Sequence, residues 1–259
     1  MLDLSQKEII ISWSGGKDST ASILLALEND IKISRICHVD MRYDDETPAI
    51  LPEHYEFVMS AAERFRSMGL RVDIERSRKT AHELASHIST KGNCIGRRVG
   101  MLDFIGPACG FKRVKINTAD GHWKRFLQSS NPARAGAVCD LLECVGIAAD
   151  EPRRLVRLGK GKFSLLAEKG ITEKQAAEIC KKHNLLSPIY SIEGIKRDGC
   201  FFCPHTPALR RAFIKREHPE LLPKIWEMFR LCNYPPQRWR YMRTNNWFSD
   251  WLEAEAWEG

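Results

Sequence analysis

A six-residue string at positions 14–19, Ser14-Gly15-Gly16-Lys17-Asp18-Ser19, constrains this chain more than any other feature. It follows Glu8–Trp13 (EIIISW), a β-branched apolar run that reads as a strand buried on both faces. After it, Ile23, Leu24 and Leu27 recur at helical spacing. A strand, a glycine loop and a helix in direct succession point backbone N–H groups and the positive end of the helix at one spot, where an anion can be held. Glycines at 15 and 16 let backbone approach a ligand closely, Lys17 adds a point charge, and Ser14 and Ser19 add hydroxyl donors. The string is not a Walker A loop, because Ile11 stands where the first glycine of G-x-x-x-x-G-K-[ST] belongs, and it is not G-x-G-x-x-G. An ordinary tight turn between strand and helix is the plain alternative.

The rest of the first 160 residues repeats that alternation. Ile33–Asp40 (ISRICHVD) reads as a second strand, with His38 and Asp40 at the carboxyl edge, where open α/β sheets bind ligands. Pro52 opens a helix that Gly69 stops, and residues 70–74 read as a third strand. Residues 80–89 and 97–105 read as helices, 113–117 (RVKIN) as a strand, 120–128 as a helix and 141–147 as a closing strand. This predicts an α/β fold: a doubly wound, mostly parallel five-stranded sheet over residues 1–160. Beyond it, a helix over 172–183 and proline-punctuated helical patches predict a small helical C-terminal region over 161–259 with no further strand.

No apolar run approaches the roughly 20 residues that span a bilayer, and the first residues lack the pattern of a signal peptide, so a soluble cytosolic protein with no membrane contact is expected. In a reducing compartment its nine cysteines read as buried hydrophobes, metal ligands or reactive thiols rather than a disulfide framework. Cys200 and Cys203, in the C-x-x-C of GCFFCP, can share one metal or act as a redox pair. Tetrahedral zinc or an iron–sulfur cluster wants about four ligands, and Cys94, Cys232 and His205 are the candidates to complete the set. Cys109, Cys139 and Cys180 sit in apolar or helical surroundings and read as buried free thiols. The net charge of +7 suits an anionic partner without deciding one. Between 206 and 243, lysines and arginines interleave with Trp226, Phe229, Tyr234, Trp239 and Tyr241, a pattern found in nucleic-acid grooves and equally in a packed helical lobe.

The SGGKDS string after a first strand resembles the PP-loop of the adenine nucleotide alpha-hydrolase superfamily, the ATP pyrophosphatases. Four further segments resemble its phosphoadenosine phosphosulfate (PAPS) reductase branch: His38-Val39-Asp40, residues 51–58 (LPEHYEFV), residues 144–154 (CVGIAADEPRR) and residues 199–204 (GCFFCP). The resemblance implies that an adenine nucleotide, ATP or PAPS, binds with Mg²⁺ at Ser14, Gly15, Gly16, Lys17, Asp18, Ser19, Asp40, Gly146 and Arg154. Lys17 and Asp18 would be catalytic, with Asp18 and Asp40 near the metal or the ribose and Arg153 or Arg154 closing over the phosphates. It also implies a [4Fe-4S] cluster or Zn²⁺ at Cys200, Cys203, Cys94 and Cys232. Two departures stand out: Ala148 replaces the arginine of the branch's G-I-R element, and no cysteine follows Cys232, so the C-terminal E-C-G thiol motif of the reductases is missing.

The expected function is therefore a PP-loop enzyme that cleaves ATP to AMP and pyrophosphate and activates an acceptor for sulfur or nitrogen transfer, with nucleic acid or a sulfur-donor protein as partner. Reduction of PAPS or adenylyl sulfate is the first alternative. A non-catalytic nucleotide- or nucleic-acid-binding subunit of a modification complex is the second.

Overall fold

The computed structural model describes residues 8–91, 95–98, 109–130, 141–197, 199–203 and 206–231. Five strands, β1 (Glu8–Trp13), β2 (Ile33–Asp40), β3 (Val72–Arg76), β4 (Leu141–Val145) and β5 (Lys162–Phe163), form one sheet in the order β3-β2-β1-β4-β5. Every pairing in it is parallel. The chain winds outward from β1 through β2 to β3, then returns past β1 to lay down β4 and β5. The order therefore reverses between β1 and β4, and in an open parallel sheet the crevice at that switch is the natural ligand site.

Alternation within β1 decides what the sheet covers. Ile9, Ile11 and Trp13 turn to one face and are buried with Ile23 and Leu24 of α1 (Lys17–Glu28) and with Val58 and Phe65 of α2 (Pro52–Ser67). The Trp13 and Phe65 rings meet edge to face at 5.4 Å, and the Trp13 indole donates to Thr20 at 3.0 Å. Burying each of these large side chains contributes roughly 1.5–3 kcal/mol. α7 (Glu173–Lys182), capped by the Thr172 hydroxyl on the Gln175 amide, lies along α1 and adds Ala176 and Cys180 to the same core.

The other face mixes buried Ile10, Cys37 and Val39 with polar pairs. Ser12 donates to Glu143 at 2.6 Å, Glu143 pairs with Lys162 at 2.7 Å, and Asp73 pairs with Arg35 at 3.0 Å. α4 (Gly110–Ser130) closes this face, with His122 between Asp73 and Glu75 at 3.1 and 2.8 Å and the Trp123 indole donating to Ser12 at 3.3 Å. This corrects the strand expected over 113–117. Its polar–apolar alternation mimics a strand, but the stretch lies inside one 21-residue helix that buries Thr118, His122 and Trp123. The strand in its place is β5, two residues long, in the Gly and Lys stretch where no strand was expected. Of the helix expected over 97–105, Arg98 instead bridges to Ile88, and residues 99–105 lie outside the described residues.

The chain folds as two compact units. The first comprises Met1–Asp40, Pro52–Arg76 and Ile116–Tyr190, and so keeps β5, α5 (Pro152–Leu155), α6 (Leu165–Glu168) and α7 with the sheet. The second comprises Met41–Leu51, Ser77–Lys115 and Ser191–Gly259, with α3 (Ala81–Ser86), α8 (Ala208–Glu217) and α9 (Leu222–Arg230). Inside the second unit Tyr43 is buried against Phe201 and Phe202 at 5.5 and 5.6 Å, and its hydroxyl lies 2.9 Å from both the Lys224 carbonyl and the Glu227 carboxylate. Among the described residues, no helix is long and apolar enough to cross a membrane.

Candidate active site

The glycine loop leaves β1 at the switch point. Gly15 has φ +83°, and a Cβ there would come within 2.3 Å of Val58, so both backbone conformation and space call for glycine. A Cβ on Gly146, directly after β4, would lie 2.4 Å from the Ser19 amide. That glycine is what lets the first turn of α1 rest against the end of β4. Two expected site residues that lie far apart in the sequence are thereby brought together.

Hydroxyls tie the loop into a ring. Ser19 Oγ accepts from the Ser14 amide at 3.2 Å, lies 3.1 Å from Ser14 Oγ, and sits the same distance from the Gly16 carbonyl. The Lys17 peptide is held from both sides: its N–H donates to the Tyr190 hydroxyl at 3.1 Å, and its carbonyl accepts from the buried Cys180 thiol at 3.2 Å. Beneath the loop, His54 Nδ1 lies 2.8 Å from Ser187 Oγ, with both residues buried.

Beside the loop, three acidic side chains converge closely enough to be a candidate cation site. Asp18, Glu151 and Glu173 each offer a carboxylate oxygen within 4.8 Å of the others, and among the described residues they are the one such group of three His, Cys, Asp or Glu. Lys17 Nζ reaches into it, 3.0 Å from Asp18 and 3.3 Å from Glu173. Burial raises the Asp18 carboxyl above its ordinary value, and the Glu173 and Glu151 charges push the same way while Lys17 opposes them. Hard carboxylate oxygens of this kind suit a Mg²⁺ ion, which takes carboxylates together with phosphate oxygens and water. Asp18 was expected here from the sequence, and the other two acids were not. Glu173 is the first residue of α7 and Glu151 directly precedes Pro152 at the start of α5, so each reads locally as an acid favoured at a helix start.

Of the other expected site residues, Asp40 ends β2 on the same carboxyl edge, in register with Arg76, and is not part of the acid trio. Arg154 pairs with Glu151, which places it at the rim of the trio with its side chain about half exposed. Ala148 is fully buried, and its carbonyl accepts from the Glu151 amide.

The cysteine loop belongs to the second unit. Phe201 and Phe202 are buried against Tyr43, while Cys200 and Cys203 on either side of them are half-buried and outside any disulfide. The Cys203 amide donates to the Cys200 carbonyl at 3.1 Å, forming a tight turn. Two buried arginines hold the backbone: Arg210 donates to the Gly199 carbonyl at 2.6 Å and Arg211 to the Thr206 carbonyl. Paired sulfurs on a tight turn are soft donors suited to zinc or an iron–sulfur cluster. Cys94, Cys232, His205, Cys139 and the aromatic residues Tyr234, Trp239 and Tyr241 lie outside the described residues. Cys180 is buried as expected, and so are Cys37 and Cys144; Cys109 is half-buried.

No family model matches the sequence, and no curated protein matches it. Among solved structures, the chain is similar to the U34-tRNA thiolase NcsA from Methanococcus maripaludis with its [4Fe-4S] cluster. The identity is 14%, the TM-score is 0.43, and the match covers 87% of this chain and 71% of that one.

Proposed function

We propose that the protein is a PP-loop enzyme of the PAPS reductase-like kind, which binds ATP over residues 14–19 and cleaves it to AMP and pyrophosphate to activate an acceptor. One observation carries the reading: the glycine loop, the N-terminus of α1 and three acids converge at the switch between β1 and β4. An anion-binding backbone beside a cation-binding trio is what a nucleotide polyphosphate with its metal requires.

The chain's own groups would divide the work. The amides of Gly15, Gly16 and Lys17 and the hydroxyls of Ser14 and Ser19 would hold the departing diphosphate in line with the α-phosphorus. Lys17 would turn from the acids to the phosphates and offset the charge that grows as the α–β bond breaks. An acceptor nucleophile attacks the α-phosphorus, the bond to the β-phosphate oxygen breaks, and pyrophosphate leaves with the electron pair. A Mg²⁺ held by Asp18, Glu151 and Glu173 would neutralise phosphate charge and orient the leaving group. Arg154, at the rim, would steady the outer phosphates, and Asp40 would meet the ribose. The thiols of Cys200 and Cys203 would deliver or relay sulfur, or hold a [4Fe-4S] cluster or zinc together with Cys94 and Cys232. Nucleic acid is the acceptor class we favour, on the positive net charge and the basic aromatic C-terminal sequence.

The test is pyrophosphate release from ATP and Mg²⁺ by anaerobically purified protein, with RNA and DNA as acceptors and Lys17→Ala as control. Release that depends on Lys17 is expected. No release combined with tight PAPS binding would overturn ATP activation and move the protein to sulfonucleotide reduction.

A further inference from the structure

The Lys17 amide is the first N–H of α1, and a helix of 12 residues directs that donor at whatever sits beyond its N-terminus. What sits there is the phenol of Tyr190, 173 residues away in sequence, with its oxygen 3.1 Å from the Lys17 nitrogen. The same oxygen is 3.2 Å from where a Cβ on Gly16 would lie, so the hydroxyl rests directly on the glycine loop. Its position is built rather than incidental. Tyr190 belongs to a 3₁₀ turn (Pro188–Ser191) whose Ile189 is buried, and its own amide donates to the Ser187 carbonyl at 3.2 Å. Ser187 is fixed in turn by the buried His54 beneath the loop.

We infer that Tyr190 sets the phosphate affinity of this site by occupying, with a neutral oxygen, the donor that a phosphate oxygen takes on binding. The inference rests on the reading of residues 14–19 as a phosphate site. An N–H gives one strong hydrogen bond, so the phenol and a phosphate oxygen compete for it. A charge-assisted bond to phosphate is roughly twice as strong as a neutral one, so phosphate wins the exchange, and the lost phenol contact weakens binding by the net worth of one hydrogen bond. The competition concerns the phosphates alone: a ligand with no phosphate leaves the Lys17 amide with Tyr190.

Isothermal titration of wild-type protein and Tyr190→Phe with ATP, inorganic pyrophosphate and adenosine separates the outcomes. Removing the hydroxyl should tighten ATP and pyrophosphate by about threefold to tenfold and leave adenosine unchanged. Equal or weaker phosphate binding by Tyr190→Phe overturns the inference, and so does a parallel change in adenosine, which would mark a merely structural role. A second measurement uses the unmutated chain: with tyrosine rings isotope-labelled, the Tyr190 ring signals should move on adding pyrophosphate and stay in place with adenosine. Unmoved signals at saturating pyrophosphate overturn the exchange. Wild-type protein that binds neither ATP nor pyrophosphate would instead overturn the phosphate site itself, which is a different result from equal binding by the two proteins.

Discussion

Two loops hold the residues proposed to carry the chemistry of this chain, and different side chains brace them. Around residues 14–19 the fold supplies oxygen acceptors to backbone N–H groups: Ser19 to the Ser14 amide, Ser14 to the Gly16 amide and Tyr190 to the Lys17 amide. Around residues 199–206 it supplies guanidinium donors to backbone carbonyls, Arg210 to Gly199 and Arg211 to Thr206. A loop whose amides converge suits an anion. A loop whose carbonyls are drawn to buried arginines, with two buried phenylalanines between its cysteines, leaves those cysteines only half-covered. On the proposed function, one loop is a phosphate cradle and the other presents thiols; they differ in the side chains that brace them, hydroxyls on amides in one and guanidinium groups on carbonyls in the other.

The largest effect expected from this contrast comes from Lys17→Ala. Removing a cation aimed at developing phosphate charge should lower pyrophosphate release by about 100-fold or more, as with loss of a single transition-state donor. Thiol labelling at Cys200 and Cys203 should stay unchanged. A large change at both loops would show that they are not independent.

Gly146→Ala probes the same loop through packing rather than charge. Its Cβ would collide with backbone at Ser19, which cannot swing aside as a side chain would, so α1 must shift from β4. Overpacking of this kind costs about 1–3 kcal/mol. A lower melting temperature together with weakened ATP binding is expected. Unchanged ATP binding would mean that the packing of β4 on α1 does not shape the cradle. On the other loop, Arg210→Met keeps the bulk and strips the donors, leaving the Gly199 carbonyl without its 2.6 Å partner. About 1–3 kcal/mol of stability should be lost, read by denaturant titration, with faster labelling of Cys200 and no loss of ATP affinity.

How much of this could be read from sequence depended on whether the signal was local. β2 was legible to the residue, since Ile33–Asp40 sets Ile33, Ile36, Cys37 and Val39 in a short β-branched stretch with a polar end, and the glycine loop was legible because a buried strand and a helix flank it at once. Gly146 and Arg154 were named by resemblance alone; in the fold Gly146 packs against Ser19 and Arg154 pairs with Glu151. The acid trio was not legible: Asp18, Glu151 and Glu173 meet only because the chain reverses direction at the switch point, and nothing near Glu173 distinguishes it from any acid that opens a helix. Tyr190 was missed for the same reason. The misread segment 113–117 failed differently. Its five residues alternate like a strand, and only the flanking helical stretches, together with Thr118, His122 and Trp123 buried on the sheet side, decide for α4. β5 pairs through two residues, too few for any periodicity to show.

The mildest perturbation sharpens the comparison through the thiols themselves. Burial pushes Cys37 and Cys180 up to about 12 and Cys144 up to about 11, because a thiolate in the core loses its hydration. Cys200 and Cys203 are only half-buried. Alkylation at pH 8 after chelator treatment should therefore mark Cys200 and Cys203 and spare the other three until the protein is unfolded, as read by peptide mass spectrometry. The sign of the pH dependence follows. An unfolded chain releases these protons near the ordinary 9.0, whereas the folded one keeps them to about 11 or 12, so above pH 9 the unfolded state binds fewer protons and is favoured. Stability contributed by each buried thiol is complete below pH 9 and is lost as pH rises toward its folded value, by about 1.4 kcal/mol per pH unit. Cys180→Ala should remove part of that alkaline slope, while Cys200→Ser should leave it unchanged. A slope that responds to Cys200 instead would mean that the thiols of the second loop are the sequestered ones, and the contrast between the two loops would fail.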